Sequence, residues 1–300
     1  MAKWREPVRR PYYAKYERVP LAHGQGWYEC YRLPGNVLAV CEPGHLQEAN
    51  VFLLPGTDRA LLIDTGTGMA NIRAVIDELW QGDLVVVNTH FHFDHTGGAH
   101  AFDEVLVSTN PLVERQARAG IPHRFLENQV DEDMFLWGYP PGFDPQTFAV
   151  APYRVRPVED GAAIDLGGRT VDVVHTPGHT EDSLMLYDRS SGVLFGGDML
   201  YYGAIYVQFD NDFMGRSSIE GYVRSLEVVK ERFPQVKAVY ASHNDFAMDP
   251  ACIDDILAAM RDVRDGRAEC EPMNDESWAY YGDKLPLSLY RFEGFTVIAK

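Results

Sequence analysis

Apolar positions along this chain follow two periods. Leu84, Val85, Val86 and Val87 form an uninterrupted apolar run, the pattern of a strand buried on both faces. Residues 170–174, 193–195 and 238–240 read as further strands. Elsewhere the period is helical: Ile72, Val75, Ile76 and Leu79 share one face, as do Ile219, Tyr222, Val223 and Leu226, and later Ile253, Ile256, Leu257 and Met260. The third of these helices is expected to open at Asp249 as cap with Pro250 in its first turn. Strand-rich stretches at about 51–108 and 170–242, interleaved with helices, predict an α/β protein whose strands are covered by helices.

The length of 300 residues exceeds the usual domain, yet no internal repeat or low-complexity tract divides the chain. The reading is an N-terminal arm, 1–20, followed by a single domain, 21–300, with an insertion at about 111–156. The arm carries six Lys or Arg against two acidic residues, a net of +4 that leaves −21 for the remainder of a chain of formal charge −17. With Trp4, Tyr12, Tyr13 and Tyr16 it either lies across a partner subunit, giving a homodimer, or is a solvated tail. The insertion gathers Phe125, Met134, Phe135, Leu136, Trp137, Tyr139 and Phe143 around Gly138 and Pro140-Pro141-Gly142. These residues form either a small satellite core or an apolar lid over a pocket. Long loops in compact domains are usually functional, which favours the lid.

Charge narrows the partners. So acidic a chain repels nucleic acid phosphates, and the arm is its one basic stretch. No segment has the apolar length of a membrane span and the start is too polar for a signal peptide, so a cytoplasmic protein is expected. Cys30, Cys41, Cys252 and Cys270 lack metal-site spacing and read as reduced thiols, although Cys30 and Cys41 flank a turn.

The densest chemistry lies at His90-Phe91-His92-Phe93-Asp94-His95, followed by Thr96-Gly97-Gly98. Imidazole and carboxylate are ligands that first-row divalent cations accept, zinc above all. If the segment is extended, His90 and His92 point to one face, while Asp94 and His95 follow the turn and can serve a second ion. The cluster comes after a buried strand, where α/β sheets place their sites. Three more candidate ligands lie at predicted strand ends: His179 in His175-Thr176-Pro177-Gly178-His179, Asp198 in Gly196-Gly197-Asp198, and His243 in Ser242-His243-Asn244. His23, His45, His100 and His123 read as ordinary surface or core histidines.

In this order, with Asp64-Thr65-Gly66 ahead of them, these motifs resemble the metallo-β-lactamase superfamily from about residue 49 to 244. The resemblance implies an αββα sandwich holding two divalent metal ions, zinc first, with iron or manganese as alternatives. It implies that His90, His92 and His179 bind one ion, that Asp94, His95 and His243 bind the other, and that Asp198 bridges them. Asp64 would accept a hydrogen bond from a ligand imidazole, and His175 would support the ligands from behind. One departure is visible, since Ser242-His243-Asn244 stands where many members have Gly-His-Gly. The resemblance also implies that Asp198 separates this chain from antibiotic-hydrolysing β-lactamases, which would have Cys or Ser at that place.

The implied activity is a hydrolase in which a metal-bridging hydroxide cleaves a thioester, carboxylic ester or lactone. Asp94 would orient the nucleophile and pass a proton to the leaving group. The Tyr201 hydroxyl would stabilise the oxyanion, against the equal alternative that it is a packed aromatic. The stretches around Ala49-Asn50-Val51 and from Asp198 to Tyr201 look similar to acyl-CoA thioesterase-like members and place a thioester with an apolar acyl part first. β-Lactam or phosphodiester hydrolysis and iron-dependent persulfide dioxygenation remain as alternatives.

Overall fold

Two parallel strands that end side by side set up the first half of the molecule. In the computed structural model, which describes residues 11–24, 26–274 and 285–300, eight strands form one sheet in sequence order: β1 Glu17–Val19, β2 Glu29–Leu33, β3 Val37–Cys41, β4 Asn50–Pro55, β5 Arg59–Ile63, β6 Asp83–Val87, β7 Val105–Ser108 and β8 Val155–Val158. β1 to β5 pair antiparallel, whereas β5 and β6 run parallel with Ile63 opposite Val87. The crossover between them is helix α1, Ile72–Leu79, capped by the Asn71 side chain on the Ala74 amide. Phe52, Leu53, Leu54, Leu61, Leu62 and Ile63 are fully buried, as are Ile72 and Ile76 from the apolar face of α1 read from the sequence.

A six-stranded sheet follows, in spatial order β17-β16-β12-β11-β10-β9. Its strands are β9 Ala163–Asp165, β10 Thr170–His175, β11 Leu184–Asp188, β12 Val193–Phe195, β16 Ala238–Tyr240 and β17 Ala247–Met248. A further sheet contains β13 Ala204–Val207, β18 Cys270–Met273, β19 Leu287–Arg291 and β20 Thr296–Ala299, and a short hairpin joins β14 Asp210–Asn211 to β15 Gly215–Arg216. β12 and β16 are parallel, with Phe195 opposite Tyr240, so the segments leaving both strands emerge at the same sheet end. The remaining helices are α2 Phe93–Thr96, α3 Pro111–Ala119, α4 Ile219–Arg232 and α5 Cys252–Arg264. Tyr222, Val223 and Leu226 of α4 share a buried core with Ile256, Leu257 and Met260 of α5.

The chain divides into two compact units that alternate in sequence. One extends to Leu106 and takes in Gln116–Arg156 and Leu166–Gly168; the other is Val107–Arg115, Pro157–Asp165 and everything from Arg169 on. Much of the 111–156 stretch therefore belongs to the first unit. Its aromatics form a satellite core: Phe135 lies 5.0 Å from the ring of His45 and 4.6 Å from that of Tyr139, and within 5.8 Å of Trp27. Phe135 is buried, Phe125, Met134, Leu136, Tyr139 and Phe143 are partly buried, and Trp137 is 61% exposed.

Other expectations shift in detail. The apolar run of β6 is half-buried over Leu84 and Val85 and fully buried only at Val86 and Val87. Helix α5 begins at Cys252, two residues beyond Pro250, and Asp249 receives the Ala251 amide in the preceding turn. Within the arm, Glu17–Val19 adds an edge strand to β2 and Tyr13 stacks on Tyr31 at 5.2 Å, so this part docks on its own chain rather than trailing as a tail. Trp4 lies outside the described residues. Among the described residues no helix is long and apolar enough to cross a membrane.

Candidate functional site

The first unit supplies four potential ligands from the loop after β6. His90 and His92 do not continue the strand; they lie in the turn that leads into the single helical turn α2, where His92 sits at the N-cap in extended conformation. Their rings are nevertheless 4.6 Å apart, and the rings of His90 and His95 are 4.1 Å apart. Donor atoms of His90 and His92, of His90 and His95, and of Asp94 and His95 each approach within 4.8 Å. All four residues are between 1% and 7% exposed.

Surrounding groups fix how these side chains point. Asp64 Oδ2 lies 2.8 Å from His95 Nδ1, which leaves Nε2 turned to the Asp94 carboxylate at 3.9 Å. The other Asp64 oxygen takes the Thr89 amide at 2.7 Å. Both the amide and hydroxyl of Thr65, with the Asn88 side chain, donate to the His95 carbonyl. Glycine is demanded at 97, where an added Cβ would meet the Thr67 carbonyl at 1.9 Å.

The second unit supplies three more. His179 Nδ1 faces the Tyr206 carbonyl at 2.8 Å, and its Nε2 faces Asp198 Oδ2 at 3.6 Å. His243 Nε2 lies 3.0 Å from Asp198 Oδ1. Asp198 thus has an imidazole nitrogen on either side, in the segment that leaves β12, while His243 follows the neighbouring β16. Phe209 packs edge-on against the His179 ring at 5.4 Å, and the Ser217 hydroxyl holds the His179 carbonyl at 2.6 Å.

Two expected participants stand differently. The Tyr201 ring lies 5.4 Å from that of His243, but its hydroxyl donates to the Ala204 carbonyl, which commits its single proton away from an oxyanion. His175 turns Nε2 to the Val158 carbonyl at 2.9 Å and its amide to Asp160, so its bonds hold a strand end together and reach none of the ligands. The Asn at 244 is explained by its backbone: φ is 62°, a left-handed conformation that Asn tolerates, and its Nδ2 donates to Tyr202 O at 2.8 Å. Glu42 escaped the sequence reading altogether. It is fully buried, bonded to Trp27 and Thr67, and burial, with the charge of Asp94 in support, pushes its pKa up to about 7. A lone Glu after an apolar strand carries no motif that would have marked it.

The cysteines take no part in this chemistry. Burial pushes the thiols of Cys30 and Cys252 up to about 12, too high for a thiolate nucleophile, and none of the four cysteines is in a disulfide.

Each unit by itself presents donors that a divalent first-row cation accepts, imidazole nitrogens and carboxylates that are nearly dry, with the outer nitrogen of His95 held by a carboxylate and that of His179 by a backbone carbonyl. An α/β protein with such donors at its strand ends belongs to the metal-binding class. The Metallo-beta-lactamase superfamily matches over residues 46–243, and the chain belongs to that superfamily. It is 32% identical over 194 residues to the acyl-coenzyme A thioesterase MBLAC2 of Bos taurus, across 60% of this chain and 66% of that protein. It is 27% identical over 228 residues to a beta-lactamase-like protein 2 homolog of Drosophila melanogaster, across 73% and 68%. The matched part spans about two thirds of the length of these curated relatives. Among solved structures, the sec-alkylsulfatase Pisa1 from Pseudomonas sp. superposes with a TM-score of 0.59 at 16% identity, over 79% of this chain and 42% of that one. VMB-1 superposes with a TM-score of 0.54 at 17% identity, over 80% and 100%. At such identities the likeness carries the fold, which is that of the superfamily.

Proposed function

We propose that this chain is a dinuclear metal-dependent hydrolase acting on a thioester, with carboxylic esters and lactones as its nearest chemical relatives. The carrying observation is Asp198, a buried carboxylate with the Nε2 atoms of His179 and His243 at 3.6 and 3.0 Å. One cation would be held by His90, His92 and His179, the other by Asp94, His95 and His243, with Asp198 shared. Divalent cations supply Lewis acidity toward an acyl oxygen and activate water near neutral pH.

The chain's own residues do the rest. Asp64 takes the Nδ1 proton of His95, and the Tyr206 carbonyl takes that of His179, so each imidazole offers Nε2 in one fixed tautomer. Asp94 stands beside His95 Nε2 and is the carboxylate placed to hold a proton drawn from the attacking water and to return it to the leaving group. A thiol leaves readily, because its pKa near 8.5 is far below that of an alcohol, so a carboxylic acid suffices as its proton source. The thioester assignment is supported by the name of the Bos taurus relative and by the resemblance around residues 49–51 and 198–201.

The test is hydrolysis of an acyl-CoA panel by zinc-loaded protein, read by thiol release, beside an aryl ester, a lactone, a phosphodiester and a β-lactam. Thioester turnover that vanishes in Asp198→Ala, together with loss of bound zinc, is the expected result. Turnover of another class alone would displace the thioester, and full activity in Asp198→Ala would overturn the metal arrangement.

A further inference from the structure

Beneath the turn that carries Asp64 lies a carboxylate the proposed reaction leaves unused. Glu42 follows β3 at the buried centre of the first unit and is 0% exposed. A carboxylate removed from water survives only where donors replace the solvent. Glu42 has three: Trp27 Nε1 at 2.7 Å, the Thr67 amide at 2.8 Å and the Thr67 hydroxyl. One side chain therefore ties the loop at Trp27 to the turn at 64–68.

That turn has an unusual backbone. Asp64, Gly66 and Gly68 all lie in the left-handed region, with φ of 64°, 69° and 75°. The conformation is unfavourable for a residue with a Cβ, and Asp64 is held in it by its neighbours. Glu42 forms one wall of the turn so closely that a Cβ on Gly66 would meet Oε1 at 2.1 Å. On its opposite side the turn is joined to the ligand segment: Thr65 donates twice to the His95 carbonyl at 2.8 Å, and Gly97 donates to the Gly66 carbonyl at 2.9 Å. Asp64 completes the link through His95 Nδ1.

From this arrangement we infer that Glu42 is a positioning residue: by clamping Thr67 and Gly66 it sets the Asp64 carboxylate against His95 Nδ1 and so orients a ligand it never touches. The inference rests on the reading of His95 as a metal ligand. An apolar residue of similar size would fill the space but leave Trp27 Nε1 and the Thr67 donors unsatisfied, so the carboxylate is needed for its two acceptor oxygens as well as its volume.

The test is a double-mutant cycle on zinc affinity, measured by competition with a chromophoric chelator, with thermal unfolding of the metal-free proteins in parallel. Glu42→Gln keeps the shape but turns an NH2 group toward a donor; it is expected to weaken zinc binding about 10-fold, within the range typical of groups behind metal ligands. In an Asp64→Asn background the same change is expected to add less than about 2-fold, because the charged contact it sets is already replaced. Thr67→Val, which removes one donor and keeps the fold's volume, is expected to show the same dependence on Asp64 at smaller amplitude and carries the test if Glu42→Gln does not fold. Equal losses in both backgrounds, or a lowered Tm with unchanged zinc affinity, would make Glu42 a structural residue only and overturn the inference. If Asp64→Asn and His95→Ala themselves leave zinc affinity unchanged, the ligand reading has failed and takes the inference with it.

Discussion

The two units orient their candidate ligands with different materials. In the first unit four potential ligands fall within six residues, and what orients them is side-chain chemistry: Asp64 on His95, Thr65 and Asn88 on the His95 carbonyl, Glu42 beneath the turn. In the second unit three potential ligands are spread over 65 residues on separate strand ends, and what orients them is largely backbone and packing: the Tyr206 carbonyl on His179, Phe209 and Tyr201 against the rings, the left-handed Asn244 beside His243. A carboxylate can be mutated or protonated, whereas a carbonyl cannot. The first half is therefore the one that single substitutions and pH can disturb.

The largest expected effect is on pH dependence. Glu42 is raised from 4.5 to about 7, chiefly by burial, so the folded state holds its proton more tightly than the unfolded chain. Its contribution to stability is fully present below about pH 4.5 and is lost as pH rises through about 7, a change on the order of 3 kcal/mol. Urea unfolding of the metal-free protein against Glu42→Gln, which cannot titrate, isolates this term: wild type should lose ground to the variant across that window. A difference that stays flat with pH would break the contrast between the halves.

Next in size, Asp64→Asn should weaken cation binding by roughly 10- to 100-fold, since it removes the negative charge and exchanges one of the two oxygens that serve Thr89 and His95 Nδ1 for an NH2 donor. Isothermal titration with zinc reads this directly, and an unchanged affinity would show the carboxylate to be dispensable.

In the second half the effects should be smaller. Tyr201→Phe removes a hydroxyl that serves the Ala204 carbonyl, so a stability loss of about 1 kcal/mol and a change in kcat of no more than a few-fold are expected. A drop of about 100-fold in kcat at unchanged KM would instead return the hydroxyl to oxyanion duty. Asn244→Gly keeps the left-handed backbone while losing the bond to the Tyr202 carbonyl; the two terms offset, and Tm should move by only a few degrees. A large loss there would mean that the second half also depends on a side-chain link.

Some of this was legible in the chain and some was not, for identifiable reasons. The helix faces of α1, α4 and α5 stand where apolar spacing put them, because a stripe of three or four apolar residues has only one way to be buried. β2, β3 and the late strands β18 to β20 went unread: β18 carries Pro272 and exposed residues, and it exists only through pairing with β19, distant along the chain. Alternation suggested the right neighbours for His90 and His92 on the wrong local structure, since both leave the strand before they converge. The aromatics of 125–143 gave no sign of which way they face; the structure buries Phe135 against His45 and Tyr139 and leaves most of the others partly exposed.

By itself the sequence determined the kinds of ligand atoms, their order and the superfamily, because imidazole and carboxylate chemistry is a property of residue type and the motifs are local. Asp64 was legible behind those ligands through its motif, but only the tertiary structure decided the other groups that stand there. Glu42, Trp27 and the Tyr206 carbonyl lie far from the histidines in sequence or carry no distinctive chemistry of their own. Their roles arise from burial and hydrogen-bond geometry, which exist only once the chain has closed around them.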